Sequence, residues 1–363
     1  MRQVIASTVL MCLTLLGCAT VPEPMLHIAS QHIRKTPVLE KGNFGRVQAI
    51  QKGDFHPCVG DEIVIFGMYE FWILSARNYQ VIEKIRPDLE LGPWTFKSSM
   101  FNELVDHDND GEYDILLGGE GFRDVGLMDY EGNLIWRFQP DPPVNPNKMI
   151  ASDLDKDGCL EFYVEAGSGV YQLRPDGSIR WHLDIGRFTS IDVFEDTILA
   201  GIGSDKLYQI DFEGHARRNH YSPGWSWSVI PWADAPCLLT IRVSYNVVQG
   251  IFAGHNGPLM HVTDLDGNIV FQKKIEGYPF SYRDPVGVVV DFEGNSSRYK
   301  AILMQSRYMS ELIILSPDDT VMYQETIGKT FGLCVNRDEI SNKEVILVGD
   351  YLNGDVVEYR YVE

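Results

Sequence analysis

Long apolar runs are scarce in this 363-residue chain. Only Val4 to Leu16 is continuous, and it is shorter than the roughly 18–20 residues that a membrane-spanning helix needs. No later segment approaches that length, so no second span is expected. Basic residues are also few: 31 Lys and Arg stand against 51 Asp and Glu, for a formal net charge of −20. A body so acidic has no electrostatic attraction for nucleic acid or an anionic lipid surface, and it tolerates bound cations. The six cysteines form no Cys-x-x-Cys pair or other paired spacing, so free thiols are expected at Cys58, Cys159, Cys237 and Cys334. Gly-x-Ser-x-Gly, His-Glu-x-x-His and phosphate-loop motifs are missing, which removes support for hydrolase and nucleotide chemistry. Amphipathic stretches of helical period and ordinary length are missing too.

The chain opens with Arg2, the apolar run, and then Leu15-Leu16-Gly17-Cys18 followed by Ala19-Thr20. This arrangement resembles a bacterial lipobox. The resemblance implies removal of residues 1–17 as a signal peptide and acylation of Cys18, for example by palmitate, as the first mature residue. An ordinary cleaved signal peptide and a retained short anchor are the alternatives. Residues 18–35 read as a lipidated tether, polar and carrying Pro22 and Pro24. Several acyl chains on one cysteine hold a protein to a membrane far better than one. The expected location is therefore the cell envelope, at an outer membrane or cell surface.

What is abundant is a repeat of about 39–55 residues. From Phe101 the order is an apolar strand, Asp106 to Asp114, Ile115-Leu116-Leu117, a strand ending at Met128, an Asp129 to Asn133 turn, and Leu134-Ile135-Trp136-Arg137-Phe138. The same order recurs from Lys148 to Leu183, and weaker copies start near Arg46, Ser190, Ser226, Val286 and Phe331. Each unit offers four short strands rich in β-branched and aromatic residues, with turn residues between them. A lone four-stranded sheet cannot bury both faces, so the units must stack. The expected fold is all-β, a single β-propeller over residues 36–363 with seven four-stranded blades, six or eight being the fallback. The last unit runs out after three strands, and the segment Thr36 to Lys41 is free to supply a fourth, removing the open edge. Trp136 and Trp181 occupy matching places and are expected to pack between blades.

Two turns carry metal-ligand chemistry. Asp106-x-Asp108-x-Asp110-Gly111-x-x-Asp114 places oxygens at alternate positions around a glycine turn, which suits a hard cation with 6–8 oxygen ligands. Asp106, Asp108, Asp110 and Asp114 are expected to give carboxylates and Glu112 a backbone carbonyl. Asp153-x-Asp155-x-Asp157-Gly158-x-x-Glu161 keeps the pattern with Glu in the last place. Strand flanks, and Leu117 where an EF-hand needs glutamate, exclude an EF-hand. An acidic turn bonding only its own backbone is the alternative. The register at Asp54 to Glu62 and at Asn336 to Glu344 has lost the ligands. These loops resemble those of FG-GAP/VCBS-type calcium-loop propellers, and the glycine turns that precede the last strands, such as Glu131-Gly132-Asn133 and Asp266-Gly267-Asn268, are similar to quinoprotein-like propeller repeats. The resemblance implies calcium in a structural role.

Propeller connectivity sends the loops between strands one and two to one face. Connections between blades and between strands two and three go to the other, and those are rich in aromatic and polar residues. Trp94, Arg123, Trp225, Trp227, Tyr245, His255, Tyr282, Arg283 and Arg307 are the candidate ligand contacts there, through ring stacking and bidentate hydrogen bonds. Plain packing of aromatics at the ring centre is the alternative. His107, inside a metal loop, is expected to face solvent. No catalytic residue is assigned. The expected function is non-catalytic binding of a carbohydrate or an envelope protein. A polysaccharide lyase is one alternative: Leu134-Ile135-Trp136-Arg137 and the Asp-rich loops are similar to those of propeller-type rhamnogalacturonan lyases. A structural scaffold of an envelope assembly is the other.

Overall fold

The computed structural model describes residues 32–38, 44, 47, 49–53, 61–67, 70–85, 101–118, 124–129, 133–141, 146–167, 169–184, 186, 188–202, 206–219, 227–232, 235–242, 247–248, 251–252, 259–274, 286–305, 309–330, 332–337, 341–350 and 353–362. Among these there is no helix.

The first strand, β1 (Ile33–Pro37), waits for its partner at the far end of the chain. Blade 1 is β2 (Ala49–Gly53), β3 (Glu62–Phe66), β4 (Phe71–Ser75) and β5 (Val81–Ile85). Blade 2 is β6 (Phe101–Val105), β7 (Asp114–Gly118), β8 (Val125–Met128) and β9 (Leu134–Phe138). Blade 3 is β10 (Pro146–Ser152), β11 (Glu161–Ala166), β12 (Gly169–Leu173) and β13 (Ile179–Asp184). Blade 4 is β14 (Phe188–Phe194), β15 (Thr197–Ile202), β16 (Lys206–Ile210) and β17 (Ala216–Asn219). Blade 5 is β18 (Trp227–Trp232), β19 (Ala235–Arg242), β22 (Leu259–Thr263) and β23 (Ile269–Lys274), with a short hairpin of β20 (Val247–Val248) and β21 (Ile251–Phe252) inserted. Blade 6 is β24 (Val286–Val290), β25 (Tyr299–Gln305), β26 (Met309–Leu315) and β27 (Val321–Gly328). Blade 7 is β28 (Gly332–Arg337), β29 (Glu344–Gly349) and β30 (Val356–Tyr361), completed by β1.

All pairings within the blades are antiparallel. The innermost strands β2, β6, β10, β14, β18, β24 and β28 each touch the next, and β28 returns to β2, so the ring is closed. This is the seven-bladed propeller expected from the repeat. The closing strand lies slightly earlier than Thr36 to Lys41, with Ile33 opposite Tyr361 and Pro37 opposite Val357. Its start falls within the segment read as tether.

Burial explains why the sequence repeats as it does. Strands one, two and three of a blade have neighbours on both faces, so successive side chains pack into opposite interfaces. In β3, Ile63 and Ile65 pack towards blade 7 while Val64 and Phe66 pack towards blade 2. In β25, Ala301 and Leu303 join blade 7, and Ile302 and Met304 join blade 5. The buried apolar residues accordingly fall into seven clusters, one for each junction between blades.

Trp136 and Trp181 pack between blades as expected. Trp136 meets Phe162 of blade 3 edge-on at 4.9 Å. The Gly177 turn of that blade lies against the indole, where an added Cβ would come within 2.7 Å of the ring. Gly177 also has φ of +78°, so both the close approach and the backbone require glycine. One junction further on, Trp181 donates from Nε1 to the Phe212 carbonyl at 2.9 Å, under the Gly214 turn. Cys159, Cys237 and Cys334 are free thiols; Cys237 and Cys334 are buried and Cys159 is half-buried.

The seam where the chain closes on itself is held by two carboxylates. Glu325 of β27 receives Lys35 of β1 at 2.9 Å, the Tyr323 hydroxyl at 2.6 Å and the Tyr359 hydroxyl at 2.9 Å. On the other side, Glu358 of β30 accepts the Tyr79 hydroxyl of blade 1 at 2.6 Å. Replacing Glu325 removes the acceptor of two buried tyrosine hydroxyls and the partner of one ammonium. Glu325→Ala should therefore cost about 1–3 kcal/mol in urea unfolding, and an unchanged midpoint would show that closure does not depend on this cluster.

Candidate functional site

Strand order alone sorts the loops. Each blade has four antiparallel strands, so the turns joining strands one to two and three to four open on one face, called here the turn face. Connections from strand two to three and from blade to blade open on the other, the loop face. Contacts around the ring agree with this. The Leu160 amide of blade 3 donates to the His107 carbonyl of blade 2 at 3.1 Å, and Lys156 of blade 3 pairs with Asp196 of blade 4 at 2.9 Å.

Both acidic loops lie on the turn face and share one backbone design. Asp106 accepts the amides of Asp110 and Gly111 at 3.1 Å each, and Asp110 accepts that of Glu112 at 2.8 Å. Asp153 accepts the amides of Asp157 and Gly158 at 3.0 Å each, and Asp157 accepts that of Cys159 at 2.8 Å. Positions four and six of each loop are left-handed: Asn109 and Gly111, then Lys156 and Gly158. This winding brings Asp106, Asp108 and Asp110 together, with ligand oxygens within 4.8 Å of one another, and does the same for Asp153, Asp155 and Glu161.

The remaining assigned residues of the two loops are placed differently. Asp114 is bonded to His107, and Asp157 serves the Cys159 amide. Glu112 stands exposed, its amide engaged by Asp110. His107 does not face solvent as expected; it is largely enclosed because Asp114, at the mouth of β7, captures its Nδ1. Burial pushes the Asp114 carboxyl up to about 6, with His107 opposing and the charges of Asp108 and Asp110 adding. Burial, then the Asp155 charge, pushes Glu161 up to about 7, opposed by the Leu154 amide.

A third loop of this design stands in blade 6, and the search for alternating aspartates passed over it. Asp291 accepts the amides of Asn295 at 3.2 Å and Ser296 at 2.8 Å, and Asn295 accepts that of Ser297 at 2.9 Å. Positions four and six, Gly294 and Ser296, are again left-handed. Here the acid at position three is satisfied from within. Glu293 receives the Tyr299 hydroxyl at 2.8 Å, the Asn295 amide at 2.8 Å and the Ser297 hydroxyl at 3.1 Å. Those bonds hold Glu293 below the usual carboxylate range. Neutral donors thus surround the acid of blade 6, whereas the triads of blades 2 and 3 set carboxylates beside one another. Their donor set, all carboxylate oxygen, fits a hard divalent cation. The clue in the sequence was Asp291-x-Glu293-x-Asn295, with glycine shifted from position six to four.

None of the ligand-contact calls on the loop face is described in its side chain. Trp94, Arg123, Trp225, Tyr245, His255, Tyr282, Arg283 and Arg307 lie outside the described residues, as does Cys18, and Trp227 is described only as the first residue of β18. The strand ends that flank them all open on the loop face: Ile85 and Phe101, Gly118 and Val125, Asn219 and Trp227, Arg242 and Leu259, Lys274 and Val286, Gln305 and Met309.

Between the two faces, the innermost strands carry a charged cluster that the sequence reading missed. Lys148 of β10 lies 3.7 Å from Asp192 of β14. Asp192 also accepts the Val229 amide of blade 5 at 2.8 Å, as Gln51 of blade 1 accepts the Leu104 amide of blade 2. Side chains of one inner strand thereby satisfy the backbone of the next. Glu103 of β6 stands in the field of both: burial, then the Asp192 charge, raise it to about 7 against the opposing Lys148.

No family model matches the sequence, and no curated protein matches it. Solved structures do share the fold. A chain in the crystal structure of BBS1N in complex with ARL6DN soaked with mercury is 9% identical with a TM-score of 0.59, over 93% of this chain and 98% of that one. The lead-soaked form of the same complex gives 11% identity and 0.58, over 91% and 96%. The Pan2 WD40 domain of Neurospora crassa gives 12% and 0.56, over 93% and 97%. At such identities the likeness establishes the propeller architecture over nearly the whole chain.

The Glu103 shift fixes the sign of a pH effect. A carboxyl raised in the folded state keeps a proton that the unfolded chain has already released. Its contribution is complete below the ordinary carboxylate range and is lost as pH rises through about 7. Melting temperature should therefore fall between about pH 5 and 8, and less steeply in Glu103→Gln; parallel curves for the two proteins would refute the shift.

Proposed function

We propose that this chain is a non-catalytic, lipid-anchored propeller of the cell envelope, stiffened by calcium on its turn face, that holds a protein partner on its loop face. The arrangement that carries this reading is the division of labour between faces. Both acidic triads sit in tight, internally hydrogen-bonded turns on one side. Eight of the nine candidate contacts fall in connections whose flanking strands open on the other, and Trp227 begins β18 at that same face. Loops carried by a rigid ring are the usual place for recognition. The solved propeller that covers most of this chain is itself described in complex with ARL6DN, which favours a protein over a carbohydrate as the partner.

Asp106, Asp108 and Asp110 would hold one ion, and Asp153, Asp155 and Glu161 a second. Each ion would neutralise a carboxylate cluster and tie strand one of a blade to strand two. The anchor rests on Leu15-Leu16-Gly17-Cys18.

Two experiments test the reading. Calorimetric titration should count two calcium ions, and Glu293→Gln should leave that number at two. Chelation should lower the melting temperature, by an amount equivalent to about 2.7 kcal/mol for each ion if calcium is present at roughly a hundred times its Kd. Asp108→Ala should cost less than full chelation; melting that ignores chelator overturns the calcium assignment. For the partner, cross-linking in envelope extracts should identify a protein whose capture is reduced at least about tenfold, roughly 1.4 kcal/mol, by Trp225→Ala or Arg283→Ala and unaffected by Asp108→Ala. Binding on a glycan array would instead restore the carbohydrate reading, and unsaturated products from uronate polymers would make the chain a lyase.

A further inference from the structure

The exposed apolar residues are not scattered. Among the described residues, the large apolar side chains that stand exposed are Val81, Ile82, Leu134, Ile135, Ile179, Ile269 and Val270, between 38% and 54% accessible. Every one is the first or second residue of an outermost strand: β5, β9, β13 or β23. A fourth strand begins where its turn from strand three ends, so all seven stand at one level, on the outer rim of the turn face. They are spread over blades 1, 2, 3 and 5.

The chain enters the fold at the same rim. β1 is the fourth strand of blade 7 and runs antiparallel to β30, so Ile33 occupies the place in blade 7 that Val81, Leu134, Ile179 and Ile269 hold in theirs. The His32 carbonyl accepts the Val362 amide at 2.7 Å, which fixes that entry point. Residues 19–32 separate it from Cys18. Fourteen residues reach about 50 Å fully extended and roughly 20 Å as a flexible coil. An anchor at Cys18 therefore keeps the turn-face rim, rather than the loop face, nearest the bilayer.

We infer that the outer rim of the turn face rests on the lipid surface, with Val81, Ile82, Leu134, Ile135, Ile179, Ile269 and Val270 as its apolar contacts and the loop face directed away. This rests on the lipid-anchor reading. A bilayer suits the distribution better than a protein does. A typical protein interface covers about 800 Å² on one side of its partner, whereas these residues lie round much of the ring at one height. Adjacent turns are acidic, but Asp129 and Asp264 bond their own turns through Asn133 and Asn268 at 2.7–2.8 Å. With the net charge of −20, they direct the rim to uncharged headgroups rather than anionic ones.

The test uses the full-length acylated protein on vesicles of phosphatidylethanolamine and phosphatidylcholine, compared with Cys18→Ser. Flotation reads the anchor and hydrogen exchange reads the orientation. Wild type should float and Cys18→Ser should not; equal flotation overturns the anchor and this orientation with it. On vesicles, amides at the starts of β5, β9, β13 and β23 should exchange at least about threefold more slowly than in Cys18→Ser. Combined Ile82→Ser, Ile135→Ser and Ile269→Ser should still float and melt like wild type but lose the slowing. Floating protein without slowing at these strands, or slowed on the loop face instead, overturns the orientation alone. Slowing in Cys18→Ser that grows with protein concentration marks a second copy as the occupant, and overturns the lipid contact.

Discussion

A four-stranded sheet with apolar side chains on both faces has no stable existence in water, and this constraint generates the rest of the molecule. Each blade must be covered twice, once by the blade before it and once by the blade after. Seven such demands are met together only when the ring closes, as the seven junction clusters show. Closure also explains why β1 travels to blade 7. Without it, β30 would offer an unpaired edge, and the cluster of Lys35, Tyr323, Tyr359 and Glu325 would lose its basic member.

Once the ring is closed, chemistry is divided by strand direction. Turn-face loops are short and bonded to themselves, and they recur with one conformation in blades 2, 3 and 6. Blade 6 shows that the conformation does not itself demand an ion. Tyr299, Asn295 and Ser297 donate three hydrogen bonds to Glu293, and its charge is compensated without one. In blades 2 and 3 the equivalent acids face other acids, and burial leaves Glu161 with a raised pKa. One loop design therefore carries either neutral donors at positions five, seven and nine, as in blade 6, or a cluster of carboxylates, as in blades 2 and 3.

The same directional rule gives the propeller two chemically distinct faces. The chain entry at Ile33, the acidic triads and the exposed starts of the outermost strands share one face. The connections rich in tryptophan, tyrosine and arginine leave from the other. In the orientation proposed above, the loop-face connections point outward while the most regular turns lie beneath.

The blade number, the four-strand unit, the packing role of Trp136 and Trp181, and the two aspartate loops were legible in the sequence, because each is written in local spacing. Strand alternation has a period of two, and a cation loop needs its oxygens within nine residues. Three features were not legible, because each depends on burial, strand convergence or backbone winding rather than on residue spacing. Asp114 and His107 are sequence neighbours, yet burial against β7 is what turned the histidine inward. The Glu103, Lys148 and Asp192 cluster exists only because three inner strands converge. The Asp291 loop lacks the expected aspartates and shifts its glycine, so its backbone shows the kinship more plainly than its side chains. Sequence determined the repeat, since periodicity is local; tertiary structure decided which repeats meet and which charges face one another, since ring closure brings Ile33 beside Tyr361.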